Sequence, residues 1–137
     1  MSKISVNDKC PCGSDIKYKK CCQNFHKGKL APRALELMKS RYSAYVLKDV
    51  KYIIKTTDVN NPDYTPEFKA WQDDLLEFCN KSQFKGLKIL DFIEENEISY
   101  VKFHVNVFIQ GKDQSFTEKS KFVKINNAWL YHSAEFY

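Results

Sequence analysis

The sequence predicts an α+β fold: a small metal-bound knuckle, then helices, then an antiparallel sheet. Three observations carry this. Four of the five cysteines fall between Cys10 and Cys22. Apolar residues recur at three- and four-residue spacing up to about residue 81. After Gly86 the period drops to two. Helices first and strands afterwards is an α+β layout.

The opening segment, residues 1–30, has little apolar content and cannot bury a core of its own, so metal must order it. Its spacing is C-x-C-x8-C-C: Cys10, Cys12, Cys21 and Cys22. Four soft thiolates suit tetrahedral zinc, and iron is the other metal such a site accepts. His26 is an alternative fourth ligand in place of Cys22. Gly13 relieves crowding beside Cys12. Four protein ligands leave no open position, which argues for a structural rather than a hydrolytic metal. The start of the chain lacks an apolar signal segment, and no apolar run reaches the roughly 20 residues that span a bilayer. A cytoplasmic setting with reduced thiols is therefore expected.

The same segment holds seven lysines and two aspartates, so the whole net charge of +5 sits there. Lys17, Lys19 and Lys20 lie between the cysteine pairs and offset the thiolate charge. With Lys27 and Lys29 they make a basic head whose charge suits an acidic protein, RNA or a ribosome, or anionic lipid, or is a solubilising fringe. It lacks the interleaved aromatics of a base-stacking platform. A membrane partner is not expected.

The body, residues 31–137, has balanced charge. The chain is 43% apolar, with ten Phe and eight Tyr, enough for a core. Pro32 opens the first helix, whose face carries Leu35, Met38, Tyr42, Tyr45 and Val46. A short helix or turn covers 49–56, and 58–63 is a loop. Thr65-Pro66-Glu67 starts a third element, with Phe68, Trp71, Leu75, Leu76 and Cys79 as its stripe. Cys79 reads as core. Turns at Asn96-Glu97, Gly111-Lys112-Asp113 and Asn126-Asn127 divide the rest into strands near 85–95, 97–110, 114–125 and 128–136. The second strand alternates Val101, Phe103, Val105, Val107 and Ile109 with Tyr100, Lys102, His104 and Asn106. His104 falls on the polar face and reads as an ordinary surface or interface residue.

Cys10-Pro11-Cys12-Gly13-Ser14 with Lys17-Tyr18-Lys19-Lys20-Cys21-Cys22 resembles the SEC-C motif, which also ends the preprotein-translocase ATPase SecA. The motif's usual second glycine is Asp15 here. The run Leu37-Met38-Lys39-Ser40-Arg41-Tyr42-Ser43-Ala44-Tyr45, the strand from Glu118 to Phe122 and Trp129-Leu130-Tyr131 resemble the YchJ family. Together the resemblances cover nearly the whole chain. They imply zinc on the four cysteines of a SEC-C motif at 1–30. They also imply a cone-shaped nuclear transport factor 2-like (cystatin-like) domain at 31–137, helices packed on a curved antiparallel sheet. SEC-C modules elsewhere are associated with the SecB chaperone, ribosomes and phospholipid.

A two-residue turn at Gly111-Lys112 pairs Val107 with Phe116, Val105 with Glu118, Phe103 with Ser120 and Val101 with Phe122. The Asn126-Asn127 turn then sets Phe122 against Tyr131 and Ser120 against Ser133. Glu118 and Ser120 thus point into an apolar face, where a carboxylate needs a partner. Arg41 supplies one, as a buried ion pair. The other reading is a pocket of Arg41, Tyr42, Glu118, Ser120 and Tyr131 that binds a small molecule or supports catalysis. A three-residue turn would instead put Glu118 and Ser120 in solvent. No nucleophile–base pair or phosphate loop is present. The leading expectation is a non-enzymatic zinc-binding adaptor that contacts a protein partner through its head. On this reading, metal removal unfolds the head and spares the body.

Overall fold

The computed structural model describes residues 4–137; Lys3, one of the seven head lysines, lies outside them. A 3₁₀ turn, Tyr18–Lys20, and a short helix α1, Cys22–His26, form the knuckle. Helices α2 (Ala34–Leu47), α3 (Val50–Lys55) and α4 (Phe68–Lys81) follow. The sheet comprises β1 (Ser82–Glu94), β2 (Ile98–Ile109), the two-residue β3 (Lys112–Asp113), β4 (Phe116–Ile125) and β5 (Ala128–Phe136). It is antiparallel, in the order β1-β2-β4-β5, with β3 beside β2.

The inner face of this curved sheet builds the core. Val101, Phe103, Val105 and Val107 from β2, Phe122 from β4 and Trp129 from β5 pack against Ala34, Leu37, Met38 and Tyr42 of α2. Each large side chain so buried contributes about 1.5–3 kcal/mol before entropy is charged against it. Register shifts in β1, between Phe84 and Gly86 and between Ile89 and Asp91, bend the strand as bulges do.

Helix α2 begins at Ala34, so Pro32 lies before it. Its burial is not one stripe. Ser40, Ser43 and Ala44 are as buried as Met38, because the helix is sandwiched between the sheet and the knuckle with α3. Asp49 caps α3 by accepting from Tyr52 N–H at 3.2 Å. Helix α4 starts at Phe68, after a turn in which Thr65 Oγ1 accepts from Glu67 N–H. Of its expected stripe only Cys79 is buried, while Phe68 and Leu76 are exposed, since α4 lies across the rim of the sheet.

The β2–β4 register differs from expectation by two residues. Ile109 pairs with Lys112, Val105 with Phe116, Phe103 with Glu118 and Val101 with Ser120. The turn residues are Gln110 and Gly111, both at positive φ, as a type I′ hairpin turn requires. A two-residue slip preserves the face, so Glu118 and Ser120 still point inward. Phe122 pairs with Tyr131 as expected, but Ser120 meets Ala134, because β5 bulges at His132.

Candidate metal centre and cone cavity

Short local bonds shape the knuckle before any metal is considered. Lys9 and Lys17 form an antiparallel bridge, and Cys10 N–H donates to Ile16 O at 2.8 Å. Gly13 (φ 86) and Asp15 (φ 62) both take left-handed conformations in the loop between them. Asp tolerates this region better than most residues with a side chain, which explains how the chain departs from a glycine there.

This loop and α1 bring the sulfurs of Cys10, Cys12, Cys21 and Cys22 within 4.8 Å of one another. A zinc–sulfur bond of about 2.3 Å gives tetrahedral edges of about 3.8 Å. Cys12 Sγ lies 3.7 Å from Cys21 Sγ, so the donor set fits a tetrahedral metal ion. Hydroxyls face two sulfurs: Ser14 Oγ is 3.2 Å from Cys21 Sγ and Ser43 Oγ is 3.5 Å from Cys10 Sγ. Four thiols this close cannot ionise alike without a cation. Hydrogen bonding from Cys12 and Cys22 holds the Cys10 thiol far below its ordinary value, and the same contacts push Cys12 up to about 11 and Cys22 higher.

His26 has another task. Its Nδ1 is 2.6 Å from the Tyr18 hydroxyl, and its Nε2 is 2.8 Å from Ser40 O. Its ring also meets Tyr52 edge-on at 4.7 Å. The imidazole thus fastens the knuckle to α2 and α3. Lys17, Lys19, Lys20, Lys27 and Lys29 are all exposed, beside Ile16 at 48% exposure.

The second arrangement is a cavity of about 390 Å³ between α2, α4 and the sheet. Arg41, Tyr42, Glu118, Ser120 and Tyr131 all line it. The expected Arg41–Glu118 ion pair does not form among the described residues. Arg41 Nη1 instead donates to Ile53 O (2.9 Å), Thr56 Oγ1 (2.7 Å) and Thr57 Oγ1 (3.2 Å). Its guanidinium stacks 4.6 Å from the centre of the Tyr131 ring. The end of α3 outcompetes the carboxylate because residues 56–58 bond alongside β5. Tyr131 N–H donates to Thr56 O, and Asp58 N–H to Tyr131 O.

Glu118 is 8% exposed and accepts on Oε2 from Ser120 Oγ and, at 3.4 Å, from Tyr131 OH. Burial pushes its carboxyl above the ordinary value, opposed by the Ser120 bond and the Arg41 charge. Burial likewise raises Tyr42 to about 12 and Cys79 to about 11. Cys79 is 2% exposed and belongs to the packing of α4. His104 bonds Thr117 on the outer sheet face. Sequence reasoning missed Thr56 and Thr57 as partners of Arg41, Ser43 beside Cys10, and the aromatic wall of Tyr45, Phe78 and Phe84. The recurring aromatics of α2 and α4 were the available signal for that wall.

Among the described residues, no helix is long and apolar enough to cross a membrane. Residues 33–134 match the model of the YchJ middle NTF2-like domain, and residues 7–24 match the SEC-C motif. A UPF0225 protein of Actinobacillus succinogenes is 36% identical, over 89% of this chain and 78% of that protein. A SEC-C motif containing protein from Rhodopseudomonas palustris, solved in solution, is 32% identical, with a TM-score of 0.78 over 93% of this chain and 98% of its own. Another SEC-C motif containing protein, from Psychrobacter arcticus, is 27% identical, with a TM-score of 0.74 over 93% of this chain and 81% of its own.

Proposed function

Since this chain belongs to the YchJ family and carries a SEC-C motif at its head, we propose that it is a zinc-binding, non-enzymatic accessory protein that contacts an acidic protein partner through that head. The observation that carries this reading is the closed set of four sulfurs within 4.8 Å. Bound there, zinc supplies a structural cross-link and offers no open position to a substrate. Cys10, Cys12, Cys21 and Cys22 hold it, and the Ser14 and Ser43 hydroxyls orient two of them.

The partner reading rests on what the cross-link displays. Lys17, Lys19 and Lys20 stand exposed on the 3₁₀ turn and its entrance, beside apolar Ile16. A basic surface with an apolar centre suits an acidic protein surface such as that of a secretion chaperone. Elemental analysis of protein purified without added metal is expected to give about one zinc per chain, with iron as the competing result. Capture of partners from lysate should then fail with a four-Cys→Ser variant and with Lys17, Lys19 and Lys20 changed to Glu. Capture unaffected by both variants sinks the reading. Loss of the captured partner on nuclease treatment, with steep salt dependence, would identify RNA or a ribosome instead.

A further inference from the structure

The cavity inside the cone offers a site of its own, independent of the metal. Its volume of about 390 Å³ lies within the usual range of small-molecule sites. One wall is a cluster of rings set edge to face: Tyr42 on Phe84 at 5.9 Å, Tyr45 on Phe78 at 6.0 Å and Phe78 on Phe84 at 6.2 Å. Phe103 completes the apolar surface from the sheet. Phe78 and Phe136 line the cavity and are 37% and 69% exposed, which places its mouth between α4 and the end of β5.

The polar groups are few and their roles divide sharply. Arg41 commits Nη1 to three neutral oxygens and lays its plane on Tyr131, so the guanidinium is fixed against the wall of the cavity. Glu118 is different. Among the described residues both of its hydrogen bonds fall on Oε2, and none is made to Oε1. Glu118 lines the cavity, so this second oxygen is open to accept a hydrogen bond from a molecule lodged there. An anionic ligand would meet the carboxylate's charge, whereas an aromatic molecule with an O–H or N–H satisfies both wall and acceptor.

We propose that the cone binds a small aromatic molecule carrying one hydrogen-bond donor, the donor directed to Glu118 Oε1 and the ring lodged among Tyr45, Phe84 and Phe103. No covalent bond to the ligand is made or broken.

The test compares 2-naphthol with its methyl ether, 2-methoxynaphthalene, against the full metal-loaded chain, by calorimetry and by amide shifts in NMR spectra. The naphthol is expected to bind roughly tenfold or more tightly than the ether, the ratio given by a hydrogen bond to a charged acceptor. Its shifts should centre on Phe103, Glu118, Ser120 and Tyr131. In Glu118→Gln the amide oxygen is claimed by Ser120 and Tyr131, so the amide N–H₂ faces the cavity and the preference should vanish or reverse. Should that variant fail to fold, the wild-type ratio decides alone. Equal affinity for the two compounds, shifts centred elsewhere, or no binding by 2-naphthol, indole or aniline at millimolar concentration would overturn the proposal.

Discussion

Ser43 has no charge and no place in the cysteine spacing, yet it is fully buried with its hydroxyl 3.5 Å from Cys10 Sγ. Groups that hold a metal ligand in place typically affect metal affinity by about 10–100-fold when removed. Ser43→Ala should weaken zinc binding by that order while leaving the helical circular dichroism intact, measured by competition with a chromophoric chelator. Glu118 makes a second residue-scale prediction. Burial raises its carboxyl above the ordinary 4.5, so the native state takes the proton more readily than the unfolded chain. That contribution is full below the ordinary carboxyl range and is lost as pH rises through the raised native value. Glu118→Gln should therefore melt higher than wild type at pH 8, and the gap should close toward pH 4. A gap that is constant with pH contradicts this account. The four cysteines were legible because chemistry constrains their spacing. Glu118 and Ser120 were legible because pleat parity survives a two-residue error. Ser43 and the Thr56–Thr57 contacts were not, because they depend on how α2 and α3 cross, which no local period encodes.

The β2–β3 turn shows how a single φ angle decides register. Gln110 stands at φ 50 and Gly111 at φ 81, whereas the later hairpin places Asn126 and Asn127 at φ 50 and 71. Asparagine suits that region and glutamine does not, so Gln110 is the weak member of the set. Gln110→Asn should stabilise the protein by about 1 kcal/mol, seen as a rise in Tm, with the Ile109–Lys112 pairing unchanged. A fall in Tm would contradict the turn assignment. Placing this turn at Gly111-Lys112 was the natural sequence reading, because Gly followed by a polar residue is a strong turn signal and Gln is a poor one. The Asn126-Asn127 turn, with two favourable residues, was placed correctly. Helix α4 forms where its stripe places it, with Cys79 in the core, but most of the stripe stays partly exposed. Its periodic stripe identifies a helix, but periodicity does not say how much of the stripe the rest of the fold covers.

At the scale of the whole molecule, knuckle and cone share contacts that bear on how far metal loss propagates. Phe25 packs against the main core and against the Ala44–Tyr52–Ile53 cluster. His26 bonds Ser40 O, and Ser43 faces Cys10. Ser40 and Ser43 are completely buried, which requires the knuckle and α3 to remain in place. Without a cation the four sulfurs compete for protons, and α1, only five residues long, is too short to persist alone. Losing the knuckle would bare one side of α2, the helix whose other side holds Leu37, Met38 and Tyr42 on the sheet. These shared contacts couple the head to α2, against the expectation that metal loss spares the body. Chelation should lower the Tm of the entire protein by several degrees or more, in one transition read alike by far-ultraviolet circular dichroism and by tryptophan fluorescence from Trp129 in the core. Hydrogen exchange should quicken at amides 40–44 of α2 as well as in the knuckle, while amides 101–105 of β2 stay protected. Exchange that quickens only before residue 31, with an unchanged Tm, would restore the picture of a detachable head.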